Sequence, residues 1–213
     1  MELSLIQKIT VYALPVIFAI TVHEAAHGYV ARYFGDMTAA AAGRISFNPL
    51  RHIDPIGTVL VPLLTMMAGG ILFGWAKPVP VDFGRLRNPK RDMLWVAAAG
   101  PASNLVMAIL WALALKLAPA FSEAIATPLV LMAQAGIMIN VVLMVLNLFP
   151  LPPLDGGRIA VSLLPQPYAW KFSQIERYGF IILIVLLFTG IFGKIIWPFI
   201  YAVIGLLSVL FNF

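Results

Sequence analysis

Apolar stretches recur along this chain from end to end, at about residues 8–34, 55–73, 93–115, 127–150, 178–190 and 195–212. The longer ones can cross about 30 Å of hydrocarbon at about 1.5 Å per residue. A soluble domain of 213 residues has no interior large enough for so much apolar surface. Hydrophobic residues make up 62% of the chain and charged residues 11%, against roughly a half and a quarter in globular proteins. The bilayer is therefore the solvent to expect. The chain has no cysteine, which excludes disulfides, Cys-based zinc fingers and iron–sulfur clusters. The net charge of +5 reflects Lys and Arg kept in cytoplasmic loops rather than a nucleic-acid partner. The first residues lack a basic region and a small-residue cleavage site, so the first apolar stretch reads as a retained span. With no repeat, low-complexity tract or long linker, residues 1–213 read as a single membrane-embedded domain.

Residues 55–73 are interrupted by Pro55, Gly57, Pro62 and Gly69-Gly70. If they span, Lys and Arg divide nine to five between the two sides. If they dip in and return, eleven of the 14 share one side and Lys8, Lys116 and Lys194 stand on the other. The second division obeys the positive-inside rule better, and broken backbone at membrane depth is tolerated where protein buries it. The expectation is an all-α polytopic membrane protein with five spans plus a re-entrant segment, N-terminus outside and C-terminus cytoplasmic. Six spans are the alternative. Residues 43–49 alternate polar and apolar side chains before stopping at Asn48-Pro49, which suggests a short strand.

His23-Glu24-Ala25-Ala26-His27 is an H-E-x-x-H motif. On a helix, positions four apart share a face, so both imidazoles can bind one metal. Glu24 is rotated about 100° from His23, beside the ion, where it can take a proton from water. Titratable groups within a span are costly and usually functional. A catalytic zinc site has three protein ligands and an open position, so a third ligand must come from elsewhere, and His52 and Asp155 are the candidates. Asp155 follows Asn147-Leu148-Phe149-Pro150-Leu151-Pro152-Pro153-Leu154, and Gly156-Gly157 lets the backbone turn sharply behind it. Its bland reading is a turn with an Asp cap. With five spans, His23 and His27 lie about 10–17 Å from the cytoplasmic end of the first span. Residues 127–150 end on that same side, within reach of the metal. His52 reads as a loop residue near the membrane surface.

Three tracts in this order make the chain resemble a short-form member of the site-2 protease family of intramembrane zinc metalloproteases. They are His23–His27, then Gly100-Pro101-Ala102-Ser103-Asn104 as G-x-x-x-N, then Asn147, Pro150, Pro152, Leu154, Asp155 and Gly156 as an N-x-x-P-x-P-x-L-D-G tract. The resemblance covers about Thr21 to Arg158. It implies one zinc per chain held by His23, His27 and Asp155, with Glu24 as general base and Asn147 holding the substrate or its oxyanion. It also implies a small membrane-associated β element near the active site. Arg44, Ile45, Ser46, Phe47 and Asn48 are the candidates to pair with an unwound substrate by β-addition. Gly100 suits close helix packing, and Asn104 is grouped with Asn147 as a polar residue that can bond across the bundle near the site. Asn140, seven residues before Asn147, has no assigned role.

The function implied is an intramembrane zinc endopeptidase that hydrolyses a peptide bond within or near a transmembrane segment. Its partners would be a single-span membrane protein substrate and the lipid bilayer, with no nucleic acid. The location would be multi-pass in a prokaryotic plasma membrane, active site toward the cytoplasm. The basic loop 77–91 would anchor at anionic headgroups, and Pro165, Pro167 and Tyr168 mark an interfacial loop where a gate could hinge. The alternative is a membrane ion or metal transporter using intramembrane His, Glu and Asp. Intact motifs argue against an inactive scaffold.

Overall fold

A computed structural model describes residues 5–60 and 77–213. Helix α1 (Leu5–Tyr33) carries the H-E-x-x-H motif in its second half. After the short α2 (Thr38–Ala41) the chain runs irregularly through a tight turn at Pro49–Arg51 and a wide helical turn at Pro55–Leu60. Helix α3 (Pro89–Leu117) opens with proline, whose missing N–H costs nothing in a first turn. The Asp92 carboxylate there accepts the Asn88 N–H at 2.7 Å. Helix α4 (Glu123–Asn147) returns antiparallel to α3, followed by α5 (Asp155–Leu163), α6 (Tyr168–Ser173), α7 (Glu176–Phe188) and α8 (Ile191–Phe211).

Helices α1, α3 and α4 pack on one another, and α8 joins them through α4 and α3. Ala108 and Ala112 of α3, Ile137 and Val141 of α4, Leu183 of α7, and Phe192, Ile196 and Ile200 of α8 form the main apolar core. The outer faces are apolar as well. Leu110, Ile181, Phe199 and Val209 are each more than half exposed, a distribution that fits lipid rather than water.

Two expectations are corrected. Among the described residues three segments are long and apolar enough to cross a membrane, Pro89–Ala120, Glu123–Asn147 and Ile191–Phe211, in place of five spans plus a re-entrant segment. The apolar stretch at 178–190 folds into the 13-residue α7, about 20 Å long and so shorter than the hydrocarbon core. Of the expected re-entrant segment, residues 55–60 form the wide turn and 61–73 lie outside the described residues.

The second correction concerns the β element. Arg44–Asn48 is irregular, with a bend at Phe47, and no strand occurs among the described residues. Its polar groups are taken by local bonds that compete with a ladder. The Arg44 amide donates to Ala39 O, the Asn48 amide to Ser46 Oγ and the Leu50 amide to Asn48 Oδ1. The Ser46 carbonyl accepts from His52 Nε2 at 2.9 Å.

The proline tract after α4 folds tightly because glycines allow it. A Cβ on Gly156 would strike the Leu148 carbonyl, one on Gly157 the backbone of Leu151 and Pro152, and one on Gly179 of α7 the Pro152 carbonyl. This compact knot turns the chain back into the bundle and sets Asp155 at the start of α5, against α1.

Candidate metal centre

His23 and His27 stand one turn apart on α1. Their Nε2 atoms are 3.1 Å apart, and Asp155 Oδ2 lies 3.3 Å from the first and 3.4 Å from the second. His23 is buried and the other two nearly so. Donor atoms about 2.1 Å from a tetrahedral zinc lie about 3.4 Å apart, so the triangle has the size of one face of a zinc coordination shell.

The ring nitrogens explain why the triangle is not a set of ordinary hydrogen bonds. His27 Nδ1 is 2.7 Å from the Val96 carbonyl, which can only accept, so that nitrogen carries the proton. His23 Nδ1 meets Asn104 Oδ1 at 2.6 Å and donates likewise. Both imidazoles, when neutral, then present bare Nε2 lone pairs to each other and to a carboxylate. Asp155 Oδ2 is buried with no hydrogen-bond partner. Three acceptors facing one point repel unless a cation lies between them, and the donor set of two imidazoles and a carboxylate suits zinc.

Gly100 of α3 makes room for this cluster. A Cβ there would fall 2.5 Å from His23 Cε1, His23 Nε2 and His27 Nε2. The glycine thus serves the imidazoles directly, beyond the helix packing its spacing suggests.

Glu24 turns to the side of the triangle. Its Oε2 accepts the Val79 amide hydrogen at 2.7 Å. The segment carrying Val79 is tied down by the Arg44 guanidinium, which donates to the Lys77 carbonyl at 2.8 Å. A second tie is the Lys77 amide, which donates to the His52 carbonyl. One turn beyond Glu24, Gly28 admits Ile45 and Val79 side chains against the helix.

The remaining sequence-predicted residues divide. Asn104 is fully buried and joins the cluster through His23. His52 is buried but stands apart from it, holding Ser46 instead. Asn147 donates to Leu143 O at 3.0 Å within its own helix, with no bond to the three converging side chains. Arg44–Asn48 runs beside α1, with Phe47 tilted on Tyr29 at 5.9 Å.

Asn140, to which the sequence assigned nothing, is fully buried and accepts from Asn104 Nδ2 at 2.9 Å. The signal was an amide in the apolar second half of α4, one of three amide side chains on that helix. A second unanticipated feature lies past the end of α1. Fully buried Asp36 accepts from the Thr38 amide and hydroxyl and from the Asp82 amide. Burial pushes its carboxyl up, but these hydrogen bonds and the charge of Arg85 outweigh it and hold it below the usual carboxylate range. Asp36 thereby fastens the loop after residue 77 to the helix that carries the H-E-x-x-H motif.

Comparison with known proteins shows the family. The profile of Peptidase family M50 matches residues 116–190. YwhC of Bacillus subtilis, named as a candidate zinc metalloprotease, is 41% identical over 190 residues, covering 87% of this chain and 84% of its own. Rip2 of Mycolicibacterium smegmatis, named likewise, is 31% identical over 191 residues, covering 87% and 69%. Rip2 of Mycobacterium tuberculosis H37Rv is 28% identical over 191 residues, covering 85% and 70%. No solved structure matches significantly. This chain belongs to peptidase family M50.

Proposed function

We propose that this integral membrane protein is an intramembrane zinc endopeptidase, and that His23, His27 and Asp155 hold one zinc ion per chain. The observation that carries the reading is the triangle of His23 Nε2, His27 Nε2 and Asp155 Oδ2, with edges of 3.1–3.4 Å. Membership of a peptidase family, and relatives whose names specify zinc, support it. Nothing observed favours metal or ion transport.

Zinc bound there supplies a Lewis acid that polarises the scissile carbonyl and makes water a better nucleophile near neutral pH. The chain's own part is the proton. Glu24 takes it from the attacking water, whose oxygen bonds to the carbonyl carbon. The carbon–nitrogen bond then breaks, and Glu24 returns the proton to the departing amine nitrogen. The Val79 amide holds one oxygen of the Glu24 carboxylate, so the other is the one turned to this task. Asn147 serves the substrate or its oxyanion, because substrate can replace its intrahelical bond to Leu143.

The substrate is a membrane protein whose unwound segment reaches the triangle from the bilayer. We place the protein in a prokaryotic plasma membrane, in keeping with the bacterial relatives, with the active site toward the cytoplasm. The 213 residues act as a single membrane-embedded domain. Glu24→Gln tests the assignment. Cleavage of a membrane substrate should fall about 10²–10⁴-fold while zinc content is kept. Cleavage at the wild-type rate would remove Glu24 from the mechanism.

A further inference from the structure

We propose that Asn140 is a positioning residue that sets which nitrogen of His23 is free for the metal, acting through Asn104. The inference rests on the zinc reading above and deepens it.

One group in this relay has a fixed polarity. The Gly136 carbonyl can only accept, and Asn140 Nδ2 lies 2.8 Å from it, one turn along α4. Asn140 must therefore turn its NH2 toward Gly136 and its Oδ1 the other way. That oxygen faces Asn104 Nδ2 at 2.9 Å, so Asn104 must present its NH2 to Asn140. Its own Oδ1 is then left for His23 Nδ1 at 2.6 Å. An oxygen there requires the proton on Nδ1, which leaves Nε2 as a bare lone pair aimed at His27 Nε2 and Asp155 Oδ2.

Every member of this chain is buried, with Asn104 and Asn140 at 0% exposure, so water cannot substitute for a lost bond. Asn104 has one further anchor, the Ala19 carbonyl at 3.4 Å. That bond is long, and the Asn140 bond carries the orientation. Without Asn140, Asn104 is free to turn its amide over. An NH2 facing Nδ1 would demand the proton on Nε2, where the metal must bind. Outer partners of metal-binding histidines fix tautomer and ring orientation in this way. His27 needs no such relay, because Val96 offers it a carbonyl directly.

The test uses full-length protein in detergent, labelled with 15N-histidine. The chain has three histidines. In metal-free wild type, His23 and His27 should carry the proton on Nδ1. His52, whose Nε2 meets the Ser46 carbonyl, should carry it on Nε2. Asn140→Leu should turn one of the two Nδ1–H signals into a mixture and weaken zinc binding, measured by chelator competition, about 10–100-fold. Wild-type tautomers and affinity in a folded Asn140→Leu would overturn the proposal. So would a wild-type His23 protonated on Nε2, whether or not the variant folds. Wild type that binds no zinc would instead defeat the zinc reading itself.

Discussion

Glu24 Oε2 accepts the Val79 amide hydrogen across 2.7 Å, although 55 residues separate them. Val79 lies between Pro78 and Pro80, which have no N–H to offer, so this extended stretch presents one donor there and spends it on the proposed base. A hydrogen bond to a charged group is worth about 1.5–3 kcal/mol and fixes the carboxylate's direction as well. Val79→Pro removes the donor. It should lower cleavage about 10-fold with zinc content unchanged, whereas Val79→Ala, which keeps the N–H, should stay near wild type. Full activity in Val79→Pro would show that the bond does not orient Glu24.

Gly100 faces both imidazoles, and the space for a methyl group is missing: its Cβ would lie 2.5 Å from three of their atoms. The clash falls on imidazoles pinned at their far nitrogens by Asn104 and Val96, so they cannot yield without losing those bonds. Gly100→Ala should therefore lose most of its zinc, by metal analysis of purified protein, while its far-UV circular dichroism remains helical. Zinc kept at the wild-type level would mean that the imidazoles adapt.

Asp36 predicts a pH dependence. Its folded-state pKa lies below the ordinary value of about 4. Its contribution to stability is thus complete above that ordinary value and is lost as pH falls through the lower folded one. Asp36→Asn exchanges an acceptor oxygen for a donor among three N–H or O–H donors. It should destabilise the protein at pH 7 by about 1–3 kcal/mol. Thermal unfolding in detergent should show the gap to wild type closing in acid. A gap independent of pH would assign the effect to something other than the ionised carboxylate.

How much of this was legible in the sequence depends on where the information lies. The pairing of His23 with His27 follows from helical period alone, whereas the residues left Asp155 and His52 both open as third ligand, and the resemblance of the N-x-x-P-x-P-x-L-D-G tract implied Asp155. The partners that finish the site are backbone atoms, the Val79 amide and the Val96 carbonyl, and these have no residue-type signature. Asn140 was visible as an amide in the apolar second half of α4, but its register against Asn104 depends on how α3 and α4 cross. The strand expected at Arg44–Asn48 went wrong because alternation does not by itself make a strand. A strand also needs a partner, and here Ser46, Asn48 and His52 satisfy the backbone locally. The span count went wrong because charge distribution reports sides, not lengths, and residues 178–190 make a helix too short for the bilayer.

On the zinc reading, His23 and His27 on α1 form one metal site with Asp155, at least 128 positions further along at the start of α5. Zinc per chain, measured on detergent-purified wild type and on Asp155→Ala, tests it most directly. About one zinc per wild-type chain, lost or sharply reduced in the variant, is the result predicted here. Wild type without zinc, or zinc indifferent to Asp155→Ala, would contradict it.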